Sequence, residues 1–226
     1  MPWWVYVIAM EKITLHRSSK LLDLLAAIQT LQSTTGIDWS QLMNFGHTWS
    51  DLHRLHLHGS DLWEKESWTT TRKAELCHHF EAIGTAEAGM YLRGIGDIPA
   101  DWGYEVLNLV CSKRLGLDVL IFEVHAWLRC AGTQLRKDMG SEETRSFSRP
   151  VPGPNRGLQQ RISCTMAEHW NTWRKELSKL SGSQSALSVG SRAVAAKCLD
   201  FMAESGYAFV IEIAYSWVRA NSWPAS

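Results

Sequence analysis

No GxSxG elbow, HExxH pair, Walker phosphate loop or CxxC pair occurs in the 226 residues, so the common hydrolase, zincin and nucleotide-binding signatures are missing. The glycine-bearing stretch 93–99, RGIGDIP, is no dinucleotide fingerprint, because it lacks a third Gly and a preceding strand. No run reaches the ~18–20 apolar residues of a membrane-spanning helix. Charge of one sign is not in excess either: 23 Lys/Arg face 23 Asp/Glu. A broad phosphate-binding surface needs surplus cations, so no extended nucleic-acid interface is expected. The five cysteines, Cys77, Cys111, Cys130, Cys164 and Cys198, are scattered and odd in number. That pattern fits reduced thiols in the cytosol better than a disulfide framework. The opening MPWWVYVIAMEK has no basic segment before its apolar part. No signal peptide is expected, the expected location is cytoplasmic, and Met10 could serve as initiator.

What is present is apolar and aromatic. Hydrophobic residues make up 45% of the chain and charged residues 20%, and Trp occurs 12 times. This is the composition of a globular protein with a Trp-rich core. Two apolar stretches, 104–129 and 199–219, organise it. Gly116 precedes LDVLIFEVHAWLR and Gly206 precedes YAFVIEIAYSWVR. Laid on each other, Ile121 meets Ile211 and Trp127 meets Trp217, a layout that duplication or coincidence between two buried segments would produce.

Leu and Ala outweigh Val and Ile, and capping residues recur, so the expected fold is mainly α, a multi-helix globular bundle. Helices are expected over 20–32, from Asp38, from Thr48 or Ser50, over 72–90, from Asp101, over 158–180 and over 191–205. The alternative is an α/β arrangement with strands near 3–9, 119–125 and 209–215, since short apolar runs fit either period. Residues 1–138 form the expected helical main domain. Residues 139–157, rich in Pro, Gly and Ser, form the expected linker. Residues 158–226 form a C-terminal helical segment, too small to hold much core alone and therefore expected to dock on the main domain.

Chemistry-bearing residues gather in one region. His53, His56 and His58 follow His47, and Glu75 and His78 repeat the three-residue step that puts two ligands on one helix face. Imidazoles and a carboxylate at such spacing are metal-ligand types, and an open site of three would activate water. HxxHxH matches no metal motif of defined spacing, and the Gly-Ser-Asp after it departs from the metallo-β-lactamase pattern. Arg72-Lys73-Ala-Glu-Leu-Cys-His78 resembles, over seven residues, the Arg–polar–His spacing of HEPN ribonucleases. The resemblance implies that Arg72 and His78 carry out RNA cleavage, although Lys73 stands where Asn, Asp or His is usual. VLIFEVH resembles the strand of PD-(D/E)xK nucleases, which implies Glu123 as a metal-binding carboxylate with Asp97 or Asp101. His125 there replaces the expected Lys. Cys164 and His169, five apart, do not share a helix face and make a poor nucleophile–base pair.

The expected function is therefore a non-enzymatic helical protein–protein interaction or regulatory protein. No cofactor is expected, the partner is another protein, and a homo-oligomer is compatible with this reading. The alternative is a metal-dependent hydrolase or nuclease, using a divalent metal in the His-rich 53–79 region or Glu123.

Overall fold

The computed structural model describes residues 15–31, 39–42, 45–51, 70–112, 116–140, 142–151 and 159–203. The fold is mainly α, with one small hairpin. In chain order come α1 (Leu15–Gln29), a 3-10 turn (Trp39–Gln41), helical residues 45–51 (α2), α3 (Thr70–Arg93), α4 (Ala100–Ser112) and α5 (Leu117–Asp138). Then follow β1 (Thr144–Pro150), β2 (Gln159–Thr165), α6 (Met166–Ser181) and helical residues 189–203 (α7).

The three central helices run up, down and up. In α3, Leu76, Phe80, Ile83 and Met90 recur at helical steps and are buried. Gly94, at φ +63, ends that helix. Its N–H donates to the Tyr91 carbonyl at 3.2 Å, and the Ile95 N–H donates to the Met90 carbonyl at 2.9 Å. This is a Schellman closure, and its left-handed position favours Gly. The chain returns as α4 and returns again as α5, which packs parallel to α3. Lys73 pairs with Asp118 at one end of the two helices, and the Tyr91 hydroxyl donates to Asp138 at the other. Gly84 lets the pair approach closely. A Cβ there would lie 2.9 Å from the Glu123 carbonyl oxygen and 3.0 Å from the Ala126 Cβ.

Residues 119–125 lie within α5, which corrects the strand alternative there. Beyond residue 125 the helix continues to Asp138, and Ala126, Trp127, Leu128, Ala131 and Leu135 keep its buried face on the helical period. The other strand alternatives, 3–9 and 209–215, lie outside the described residues, as does the second copy of the apparent repeat beyond residue 203.

Two local expectations are corrected on the C-terminal side. Residues 144–150 of the expected linker form β1, and residues 159–165 of the expected helix form β2. The strands pair antiparallel from Thr144↔Thr165 to Pro150↔Gln159. Within the strand the sole Pro stands at its last position, where a missing N–H is tolerated. Arg145, Phe147 and Arg149 alternate onto one face. The helix then starts at Met166, because Thr165 and Glu168 form a reciprocal capping box.

The hairpin and α6 close over α4. Asn108 joins all three elements: its Nδ2 donates to the Ser148 carbonyl at 2.9 Å, and its Oδ1 accepts from Trp173 Nε1 at 3.2 Å. The Tyr104 and Trp173 rings stack at 6.3 Å, and Arg145 lies over the Tyr104 ring at 5.1 Å. Helix α7 lies along α5, where Ser191 Oγ donates to the Asp118 carbonyl at 2.8 Å and Phe201 faces His125. One hydrophobic cluster runs from Leu22 through Trp49, Trp127, Trp170 and Trp173 to Met202. Among the described residues, no helix is long and apolar enough to cross a membrane.

Candidate functional site

The residues singled out from sequence do not meet at one place. His53, His56 and His58 lie outside the described residues, as does the Arg72 side chain. Glu75 and His78 are exposed on α3. Among the described residues, no group of three or more His, Cys, Asp or Glu could hold a metal ion. Glu123 is buried on α5 against Gly84 of α3, on a helix rather than on the strand that the nuclease resemblance requires. Asp97 sits in the turn after α3, and Asp101 pairs with Arg145 in the first turn of α4.

His125 lies beside Glu81, with Nδ1 at 3.9 Å from Oε1. Burial, reinforced by Arg129, holds its pKa below the ordinary value. The imidazole is therefore neutral near pH 7, and the contact is no ion pair. Arg129 takes Glu81 instead and also donates to Thr85 Oγ1 at 3.1 Å.

The structure does bring Cys164 and His169 together. One is the penultimate residue of β2 and the other lies in the first turn of α6, so the strand-to-helix corner does what helical spacing could not. Cys164 Sγ is 3.3 Å from His169 Nε2. The ring is fully buried, edge-on to Phe147 and stacked on Trp173. Arg149 Nη2 is 2.7 Å from Nδ1, and the Arg145 carbonyl oxygen is 3.0 Å from Nε2. A guanidinium can only donate, so Nδ1 accepts and Nε2 carries the proton, which it donates to the Arg145 carbonyl. In that tautomer Nε2 cannot take the Cys164 proton. Burial pushes the thiol pKa up and the imidazole pKa down. The pair is thus a thiol beside a neutral imidazole, not an activated nucleophile.

These two histidines make stability depend on pH. Both have an ordinary value of 6.5 and a lowered one in the fold. As pH falls through that value, the unfolded chain takes up protons that the folded chain refuses, so stability drops. The urea midpoint is expected to be lower at about pH 5.5 than at about pH 7.5, and His169→Gln to narrow the difference. A midpoint that is level or rising as the solution is acidified would overturn this.

Beside this junction lies a cleft of about 770 Å³ between α4, the start of α5, the end of β1, α6 and residues 185–187. Val110, Leu117, Leu180 and Leu187 give it an apolar wall, and Arg149, Glu176 and Lys179 supply charge. Volume and lining fall within the range of ligand sites. Cys111, also in the wall, has its thiol pKa pushed up to about 11 by burial, so it is protonated at neutral pH.

Comparison with protein-family models, with curated proteins and with solved structures found no match. The cleft therefore has to be read from its own chemistry.

Sequence reasoning missed this site because Arg149 fell in a stretch read as linker. Two signals could have found it. Arg145, Phe147 and Arg149 alternate with Ser146 and Ser148, a strand period. Thr165-Met-Ala-Glu168 is a capping-box signature that dates the helix start to residue 166.

Proposed function

We propose that this protein is a non-catalytic binding protein, and that the cleft between α4, β1 and α6 receives a segment of a partner protein. The observation that carries this reading is the cleft itself: an apolar wall with a few charged groups, beside thiols and a histidine held in unreactive states. Such a lining gives apolar burial for affinity and polar groups for orientation. The proposal needs no metal or cofactor. It places the protein in the cytoplasm, where the five free thiols stay reduced.

Peptide display against the full chain tests it. Ala186 lines the cleft, and Ala186→Trp would fill part of it. Enriched peptides are expected to bind the parent protein and to lose at least about tenfold in affinity for the Ala186→Trp variant, roughly the energy of one well-packed apolar contact. Enriched peptides that bind both proteins alike, or no enrichment, would overturn the proposal.

A further inference from the structure

We infer that Arg149 is a carboxylate receptor, so that the segment taken by the cleft is apolar and carries one carboxylate. This rests on the reading of the cleft as a binding site, and adds what it recognises.

Arg149 has an incomplete set of partners. Several cations of the fold meet a carboxylate: Lys73 meets Asp118, Arg93 meets Asp23, Arg129 meets Glu81, and Arg145 meets Asp101 and Glu143. Arg149 has no such carboxylate among the described residues. Its hydrogen bond there is to His169 Nδ1, a neutral acceptor, and its Nε is buried with no hydrogen-bond partner. A guanidinium stays charged at any physiological pH and offers five donors. Here one donor is used, and the charge faces a neutral ring on one side and a cleft on the other.

The fold also holds that guanidinium in place. Arg149 projects from β1 next to Pro150, and His169 is itself fixed by the Arg145 carbonyl and by the Phe147 and Trp173 rings. The receptor is pre-positioned, which lowers the ordering cost of binding.

Charge then narrows the ligand. Among the cleft residues Lys179 is bound to Glu176, so the pair cancels and Arg149 leaves one positive charge. A monoanion balances it. A phosphate, carrying nearly two charges near neutral pH, would set its second against Glu176. Leu117, Leu180 and Leu187 favour apolar side chains beside the acid. A partner segment with Leu, Val or Ala around one carboxylate meets all of these conditions.

The test uses the full chain and fluorescence anisotropy with labelled, Ser-Gly-flanked hexapeptide pools of Ala, Val and Leu. One pool carries a single Glu and a C-terminal amide. A second carries Gln with a free C-terminal acid. A third is neutral, with Gln and an amide, and a fourth carries phosphoserine. At least one carboxylate pool is expected to bind about tenfold or more tightly than the neutral pool, as a charge-assisted bond requires. Which of the two does so identifies a side-chain or a terminal acid. Arg149→Gln is expected to erase the preference for the carboxylate pools over the neutral one. Equal binding of carboxylate and neutral pools to the parent protein would overturn the inference, as would tighter binding of phosphoserine. Failure of the cleft reading shows differently: Ala186→Trp would then leave binding of every pool unaltered, or no pool would bind at all.

Discussion

Trp173→Ala is expected to lower stability by about 3–5 kcal/mol, the range for emptying a buried Trp site. The side chain is fully buried in α6, stacked on Tyr104 and His169 and edge-on to Phe147 and Trp170. Truncation opens a cavity between α4, α6 and the hairpin. It also strips Asn108 Oδ1 of its indole donor, and a buried acceptor without a partner costs a further ~1–3 kcal/mol where no water replaces it. Trp173→Phe keeps most of the ring and loses the N–H, so a smaller loss is expected. Urea unfolding measures both. The Ala variant should show a lower midpoint with an unchanged slope, and its melting temperature should fall by on the order of 10 °C. A loss under about 1 kcal/mol would mean that α6 does not depend on this ring for its packing.

The second large effect runs against helix propensity. Gly84 stands inside α3, where Ala would ordinarily gain about 1 kcal/mol. A Cβ at that position meets the Glu123 backbone oxygen at 2.9 Å and the Ala126 Cβ at 3.0 Å. Neither is the loose end of a side chain, so α3 and α5 must move apart. Gly84→Ala is therefore expected to destabilise by about 1–2 kcal/mol, and Gly84→Leu by about 3 kcal/mol or more, as overpacking outweighs propensity. Gly190 is the control: it lies in the first turn of α7 and a Cβ there meets nothing within 4 Å. Gly190→Ala should be neutral or slightly stabilising. If Gly84→Ala stabilised the protein as Gly190→Ala does, the close approach of α3 and α5 would be wrong.

The legible parts were the helices whose apolar residues repeat on a local period. Helix α3 was read over 72–90 and observed at Thr70–Arg93, and α4 starts at Ala100, which puts the expected cap Asp101 inside its first turn. The apolar run after Gly116 was read as core, and Val119, Leu120, Ile121, Val124 and Trp127 are all buried. The hairpin was not legible as a ladder, because each strand is polar and completes its hydrogen bonds on the other. Gln159 to Thr165 offers little hydrophobic pattern of its own. The cleft was illegible for the same reason. Arg149, Leu117 and Leu187 are far apart in the chain and meet through the fold.

Glu123 makes the contrast sharpest. Its neighbours in sequence suggested a nuclease strand, whereas its neighbours in space are Gly84 and Ala126 at a helix–helix contact. Cys164 and His169 make the opposite case: helical spacing separated them, and the strand-to-helix corner joined them. Their protonation states depend on burial and on Arg149, and neither can be read from spacing.

Composition and periodicity alone determined that the chain folds as a mainly helical body around an apolar, Trp-containing core, because helical periodicity and capping are local properties of consecutive residues. The tertiary structure alone decided that residues 144–150 pair with 159–165, that His169 is a neutral acceptor for Arg149, and that this arginine borders a cleft. Ladder pairing, desolvation and the meeting of charges all depend on partners distant in the chain, and a linear pattern does not carry that information.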